Sequence, residues 1–199
     1  MASNRPTLGF PLRYATRLKG YDYSQGNYYF VTICLHDRQP ILGEIEGEAF
    51  NPSRFGDIVS ETWTSIPKLF AGVEIDYWVV MPNHFHGILV LPSDEERGSR
   101  AASTVAGGPS TPSAPKLTLA RVINGFKSIS GKEINRHRGS IGAKVWQRSF
   151  YDHIARDQQD LDAKRTYIRN NPMKWALDEE NPESEAYKIQ ERRRGSRAA

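Results

Sequence analysis

Two apolar runs separated only by Pro82-Asn83 constrain the fold of this sequence more than any other feature. The runs cover about residues 73–81 and 84–91, and both are rich in the β-branched and aromatic residues that favour strands. Because proline and asparagine interrupt strands, we predict two consecutive strands joined by a very short connection.

The rest of the sequence alternates strand-like and helix-like patterns around this pair. Further strands are predicted for residues 28–35 and 144–154, and apolar residues at helical spacing predict helices for residues 55–66, 117–135 and 158–170. The resulting order is strand, helix, strand, strand, helix, strand, helix. This order indicates an α+β fold in which an antiparallel sheet carries helices on one face.

The length of 199 residues suits one compact domain with added segments. We predict an N-terminal arm over residues 1–25, a domain over residues 26–180, and a basic polar tail, expected to be disordered, over residues 181–199. Within the domain, residues from about 93 to 115 are rich in glycine, proline, serine and threonine, and they are predicted to form a flexible insertion.

Composition narrows the class of protein. The net charge is +4 and the pI is about 9.2, which is compatible with a polyanionic partner. The single cysteine, Cys34, leaves no intrachain disulfide bond to be formed. No stretch approaches the ~20 apolar residues of a membrane span, and the N-terminus lacks the apolar core of a signal peptide. We therefore expect a cytoplasmic protein.

His84 and His86 lie two residues apart in the second strand of the pair. Side chains two apart in a strand project from the same face, so both imidazoles would reach one spot, where they suit a divalent cation. Taken alone, this spacing occurs more often as an incidental pair of surface or core histidines.

Four segments together resemble the HUH single-tyrosine transposases, in particular the REP-associated tyrosine transposase branch. Residues 78–90 resemble the HUH motif of the family, residues 29–34 its first strand, residues 145–157 its final strand and residues 167–172 its tyrosine helix. The match follows the family order over most of the chain. It implies the ferredoxin-like, RRM-like sheet of the HUH endonuclease fold, and a strand transferase that cuts and rejoins single-stranded, hairpin-forming DNA through a 5′-phosphotyrosine.

The resemblance also implies which residues form the site. Tyr167 is the implied nucleophile, and Asn171 is implied to complete a Mg²⁺ or Mn²⁺ site beside His84 and His86. Positions four apart share a helix face, and an amide oxygen suits a hard cation. Without the resemblance, Tyr167 is interpreted as an aromatic at the edge of the core and Asn171 as a helix C-cap.

Three further residues are candidates for the same site. Tyr151 is a rival nucleophile, although an aromatic residue in a strand is more often structural. His153 could be a third ligand, a proton carrier, a DNA contact or a structural histidine at the sheet edge. Asp76 lies in a neighbouring strand and could approach the histidine pair. The base that would deprotonate the tyrosine is not identified by the sequence.

Basic residues concentrate in the predicted helix 117–135 and close to it. Because phosphate contacts give DNA affinity, we predict DNA contacts for six of them: Lys116, Arg121, Lys127, Lys132, Arg136 and Arg148. Taken singly, each is more often just a solvated surface residue. A homodimer is expected from the resemblance alone.

Two other functions stay open at this point. The first is a DNA-binding protein of the same fold that no longer cuts DNA. The second is a small metallohydrolase that uses His84 and His86 on a substrate other than DNA. A DNA-processing protein of this family would act in the bacterial cytoplasm, at the nucleoid when it is bound to DNA.

Overall fold

The computed structural model describes residues 20–23, 25–93, 116–178 and 180–189. The predicted arm up to residue 19, the predicted insertion from residue 94 and the predicted tail from residue 190 lie outside the described residues.

A four-stranded antiparallel sheet forms the centre of the fold. The strands of the described residues are β1 (Asn27–Cys34), β2 (Gly43–Glu46), β3 (Ala49–Pro52), β4 (Glu74–Val80), β5 (His84–Leu91) and β6 (Tyr151–Ile154). The central sheet has the order β4-β5-β1-β6, and β2 pairs with β3 in a separate hairpin. This is the strand order of a ferredoxin-like sheet, so the predicted α+β fold is confirmed.

Side-chain caps mark the start of the three longest helices. The described helices include α1 (Arg54–Thr64), α2 (Ile66–Leu69), α3 (Leu119–Arg138), α4 (Gln158–Asn170) and a 3₁₀ helix (Pro172–Leu177). Side chains of Ser53, Thr118 and Asp157 accept hydrogen bonds from the first N–H groups of α1, α3 and α4. α3 stops at Gly139, whose φ of 64° is left-handed. Among the helices of the described residues, none is long and apolar enough to cross a membrane.

The main hydrophobic core fills the space between one face of the sheet and helices α1 and α3. Trp63 of α1, Phe85 of β5 and Phe126 of α3 are fully buried, and their ring centroids are 4.5 to 5.5 Å apart. Gly87 lies against this cluster, where a Cβ would come within 2.5 Å of the Trp63 indole. The predicted placement of helices on one face is therefore confirmed for α1 and α3.

The opposite face of the sheet carries a second, smaller core beneath α4. Phe30 of β1 and Ile88 of β5 stand opposite each other and pack with Leu161 and Ile168 of α4. These strand residues make an apolar patch on the second face, which explains why a helix covers it as well. His86 lies two residues before Ile88 and faces the same side, so α4 covers the face that carries the histidines.

Only the last four residues of the predicted strand 144–154 form a strand, β6. Before β6, Trp146 forms an isolated antiparallel bridge with Leu35, and the carbonyls of the residues that follow bind a side chain of α3. Lys127 Nζ donates to the carbonyls of Gln147 and Ser149 at 3.1 and 2.9 Å. The Lys127 ammonium therefore binds carbonyls that lie between the bridge at Trp146 and the start of β6.

We expect Lys127→Met to destabilise the protein by about 2 kcal/mol, because it removes charge-assisted hydrogen bonds to two carbonyls. Lys132→Met is the matched control, since Lys132 is exposed on the same helix and surface replacements change stability by about 0.5 kcal/mol or less. Urea unfolding measures both variants. Equal free energies of unfolding for the two would contradict a structural role for Lys127.

The first part of the predicted tail is packed against the domain. Asn181 and Ser184 are buried, and residues 185–189 form a helical turn. Asn181 Nδ2 donates to the carbonyl of Trp175 at 3.0 Å, and Ser184 Oγ donates to that of Asp178 at 2.6 Å. The prediction of disorder is therefore wrong for this part, because its polar side chains bind backbone carbonyls.

Candidate active site

The histidine pair lies buried on the face of the sheet that α4 covers. In the register of β1 and β5, His86 stands opposite Thr32 and His84 stands opposite Cys34. His84 is 0% exposed and His86 is 2% exposed, and the Nε2 atoms of the two rings are 3.0 Å apart. The two imidazoles therefore converge on one spot.

Each imidazole is oriented by a polar neighbour. Asn83 Nδ2 donates to two backbone carbonyls at 3.0 and 2.6 Å, so Asn83 Oδ1 is fixed as the acceptor that faces His84 Nδ1 at 2.9 Å. Thr32 Oγ1 lies 2.8 Å from His86 Nδ1 and can accept in the same way. With the proton of each ring assigned to Nδ1, both Nε2 atoms present lone pairs to the same point.

Burial keeps both rings neutral. Burial, and to a lesser extent repulsion from Lys164, lowers the pKa of His86 from its ordinary 6.5 to about 3. Burial also lowers the pKa of His84, with contributions from His86 and Arg38. Because neutral imidazole is the form that binds a metal ion, the pair can accept a cation at neutral and mildly acidic pH.

The low pKa of His86 predicts a loss of stability in mild acid. As the pH falls below 6.5 the unfolded chain takes up a proton on this side chain, whereas the folded protein does so only near pH 3. The free energy of unfolding therefore falls across this window, by about 2 kcal/mol at pH 5. Urea unfolding in EDTA is expected to show a smaller acid-induced loss for His86→Gln than for the wild-type protein. Equal losses would contradict the prediction.

Tyr167 projects from α4 into this site. Its ring centroid is 5.2 Å from that of His86 and 5.8 Å from that of Phe30, both times edge to face. Phe30 in turn stacks on His86 at 5.5 Å. The three rings form one cluster, so the phenol borders the histidine pair within a single chain.

Asn171 follows the last residue of α4 and is almost fully buried. It lies four residues after Tyr167, and its Oδ1 is buried without a hydrogen-bond partner among the described residues. The ring of Trp175 in the following 3₁₀ helix is 6.0 Å from that of His84, so the chain leaving α4 runs past the histidine pair. A buried amide oxygen without a partner is destabilising unless a ligand satisfies it.

The spacing of the histidine pair fits two ligands of one divalent cation, and the side chain of Asn171 has suitable ligand chemistry. Two nitrogen ligands that lie about 2.1 Å from one ion, at right angles to each other, are about 3.0 Å apart. The Nε2 atoms of His84 and His86 have this separation, and the Asn171 Oδ1 is an oxygen ligand of the kind that Mg²⁺ and Mn²⁺ accept. The described parts of the chain hold no group of three His, Cys, Asp or Glu side chains suited to a metal. Amide, water or substrate oxygens would therefore complete the coordination.

Tyr151 lies on the same face of the sheet as the histidine pair. It stands opposite Thr32 in the register of β1 and β6, and its ring centroid is 6.4 Å from that of Phe30. Burial raises the pKa of its phenol, and the carboxylates of Asp152 and Asp160 raise it further. Tyr151 contacts the same central ring as Tyr167 but from the edge strand, so geometry leaves it as the rival nucleophile.

His153 and Asp76 are engaged by side chains of α4. His153 Nε2 lies 2.8 Å from Asp160 Oδ2, and Asp76 Oδ2 accepts a hydrogen bond from Arg165 Nε at 2.8 Å. Neither joins the histidine pair in a metal-binding group within the part of the chain that the structure describes. The structure therefore supports neither as a third ligand, because both hold α4 on the sheet.

The six basic residues predicted to contact DNA belong to α3 or to its flanking segments. α3 packs on the far face of the sheet from the histidine pair, through Phe126 and Phe85. Lys127 is engaged by backbone carbonyls, Lys116 by Asp22 at 3.1 Å and Arg136 by Glu133 at 2.5 Å. All but Lys127 are exposed, and Lys132, Arg136 and Arg148 line an open cavity of about 680 Å³ beside α3.

Sequence reasoning missed three residues that bear on the site. Thr32 orients His86 from 54 residues away, and no local pattern connects the two. Asn83 is next to His84, the histidine that it orients. This position in the sequence could have indicated its role. Lys164 lies three residues before Tyr167, a spacing that puts both on one helix face.

Known proteins resemble this chain in sequence and in fold, although no protein-family model matches it. An uncharacterised Haemophilus influenzae protein is 30% identical over 171 residues, which are 86% of this chain and 94% of that protein. A second H. influenzae protein, provisionally named a REP-associated tyrosine transposase, is 27% identical over 158 residues, which are 77% of this chain and 74% of that protein.

The fold matches that of a solved structure, a REP-associated tyrosine transposase bound to a REP hairpin. The TM-score is 0.52 at 20% identity, over 79% of this chain and 73% of that chain. The second of the two sequence relatives carries the name of the same kind of transposase. Sequence and fold together place the chain in the REP-associated tyrosine transposase-like family.

Proposed function

We propose that this protein is a metal-assisted strand transferase that nicks and rejoins single-stranded DNA, with Tyr167 as its nucleophile. One observation carries the proposal. The phenol ring of Tyr167 lies against the ring of His86. The Nε2 atoms of His86 and His84 are 3.0 Å apart and face the same point. A nucleophile beside two convergent neutral imidazoles suits metal-assisted phosphoryl transfer through a phosphotyrosine.

In this proposal the chain supplies the nucleophile and the frame that positions it. The Tyr167 oxygen attacks the phosphorus of the scissile phosphodiester in line and loses its proton. The bond to the 3′-oxygen breaks, that oxygen takes up a proton, and the 5′-phosphate is left joined to the tyrosine. A 3′-hydroxyl from another strand can reverse the step, because the phosphotyrosine keeps the energy of the phosphodiester bond.

His84 and His86 are the residues proposed to hold the cation, with the amide oxygen of Asn171 as a third ligand. A divalent ion bound there would supply Lewis-acid stabilisation of the charge on the non-bridging phosphate oxygens. Thr32 and Asn83 keep the two rings in the orientation that leaves both Nε2 atoms available.

Hairpin-forming single-stranded DNA is the substrate class we propose. It is suggested by the solved relative, which is bound to a REP hairpin. Five of the six predicted contacts are exposed, and we propose that they contact phosphates of the substrate away from the scissile bond: Lys116, Arg121, Lys132, Arg136 and Arg148. Such an activity would act on chromosomal DNA in the cytoplasm.

A covalent-adduct assay tests the proposed function. The protein is incubated with Mn²⁺ and a pool of hairpin oligonucleotides with randomised single-stranded flanks, labelled at either the 3′ or the 5′ end. We expect a denaturation-resistant adduct that carries only the 3′ label, because the 5′-phosphate of the downstream fragment becomes joined to tyrosine. EDTA is expected to prevent it. Hairpin binding without any adduct would instead support the DNA-binding protein that no longer cuts.

A further inference from the structure

Lys164, Tyr167 and Asn171 form one row along α4. They are three and four residues apart, so the ammonium, the phenol and the amide lie on one helix face. Lys164 Nζ lies 5.3 Å from the ring centroid of Phe30, the same ring that stacks on His86 and meets Tyr167. The Phe30 ring thus contacts the Lys164 ammonium, the Tyr167 phenol and the His86 imidazole.

Lys164 differs in its partners from the neighbouring arginines of α4. Arg165 forms an ion pair with Asp76 at 2.8 Å, and Arg169 donates to the hydroxyl of Tyr77 at 3.2 Å. Across the described ranges, by contrast, no carboxylate forms an ion pair with the Lys164 ammonium. The two arginines fasten α4 to the edge strand β4, whereas the Lys164 ammonium has an aromatic ring, that of Phe30, and no carboxylate as its partner among the described residues.

The carboxylate one turn away from Lys164 already has partners. Asp160 Oδ2 lies 2.8 Å from His153 Nε2 and accepts a hydrogen bond from the backbone N–H of Arg156 at 3.2 Å. Lys164 is half-buried, and burial lowers the pKa of its ammonium. A partly desolvated ammonium without an ion pair destabilises the folded protein. This arrangement is expected where an external anion completes a site.

We propose that Lys164 binds a non-bridging oxygen of the scissile phosphate beside Tyr167. This role rests on the proposed function, because the scissile phosphate is the anion that the phenol of Tyr167 must approach. An N–H donated to that oxygen would offset the negative charge that develops as the tyrosine attacks. Lys164 forms no covalent bond in this role, and the proton of Tyr167 leaves by another route.

The test compares Lys164→Met with Lys164→Arg and with a matched control, Lys68→Met. Lys68 is an exposed lysine of α2. The rate of adduct formation is measured in single turnover with Mn²⁺ and an adduct-forming hairpin oligonucleotide, together with hairpin affinity and melting temperature. We expect Lys164→Met to slow the rate by about 10²-fold and Lys164→Arg to recover most of it. Lys68→Met is expected to match the wild-type protein.

Stability separates a phosphate-binding lysine from a structural one. Removing a half-buried ammonium that has no ion pair is expected to leave the melting temperature equal or higher, with hairpin affinity changed by less than about threefold. A rate for Lys164→Met within about threefold of wild type, or a rate lost only together with the melting temperature, would overturn the role. If the wild-type protein forms no adduct at all, the proposed function itself fails, which is a different result.

Discussion

Replacing Tyr167 with phenylalanine is expected to reduce covalent adduct formation by at least about 10³-fold, because the attacking oxygen is lost and no other group takes its place. The phenylalanine ring can keep the contacts with His86 and Phe30 at 5.2 and 5.8 Å. Folding and hairpin affinity are therefore expected to stay close to those of the wild-type protein. Denaturing gels and fluorescence anisotropy measure the two properties.

Tyr151→Phe is the matched control for this prediction. Tyr151 faces the same side of the sheet and its ring also contacts Phe30, at 6.4 Å, so both variants remove one hydroxyl from the same aromatic cluster. We expect Tyr151→Phe to retain adduct formation. The reverse pattern, an adduct lost in Tyr151→Phe and kept in Tyr167→Phe, would identify the rival tyrosine as the nucleophile.

Replacing His86 with alanine is expected to reduce adduct formation by about 10²-fold or more and to abolish tight binding of Mn²⁺. The physical reason is the 3.0 Å separation of the two Nε2 atoms: without one imidazole, the cation would keep a single histidine ligand. Isothermal titration with Mn²⁺ in the absence of DNA measures binding independently of cleavage.

His153→Ala controls for the loss of a histidine from the same face of the sheet. Its ring faces Asp160 at 2.8 Å, outside the pair, so we expect Mn²⁺ affinity and the dependence of cleavage on Mn²⁺ to stay unchanged. A His86→Ala protein that binds Mn²⁺ and forms adduct as the wild type does would remove the histidine pair from the mechanism.

Several parts of this architecture follow from local spacing. A period of two along a strand brings His84 and His86 to one face, and the structure has their Nε2 atoms facing each other. Spacings of three and four residues along α4 put Lys164, Tyr167 and Asn171 on one side of the helix. Such local rules apply before the tertiary fold is known, so the sequence was sufficient for these alignments.

The side of the sheet on which each helix packs did not follow from local spacing. α3 and α4 are both amphipathic, and both carry basic residues. Their placement depends on which strand residues make each face apolar, such as Phe85 on one face and Phe30 on the other. The sequence predicted a helical layer on one face, and the structure adds α4 on the second, beside the histidines. For the same reason the basic residues of α3 lie on the face away from Tyr167.

The roles of individual lysines depended on contacts that are distant in sequence. Lys127 was predicted to bind DNA, yet its acceptors are carbonyls 20 and 22 residues away, at Gln147 and Ser149. Lys164 was not singled out, although it lies one helical turn from the predicted nucleophile. Its proposed role depends on the nearby carboxylates, which already form hydrogen bonds or ion pairs with other residues. Those pairings exist only in the folded chain.

Identifying the DNA-linked residue by mass spectrometry tests the central claim most directly. After nuclease and trypsin digestion of the adduct, Tyr167 lies in the peptide of residues 166–169 and Tyr151 in that of residues 149–156, and each peptide holds a single tyrosine. We predict a nucleotide attached through its 5′-phosphate to the first peptide, at Tyr167. A nucleotide on the second peptide, or on no tyrosine at all, would contradict the account.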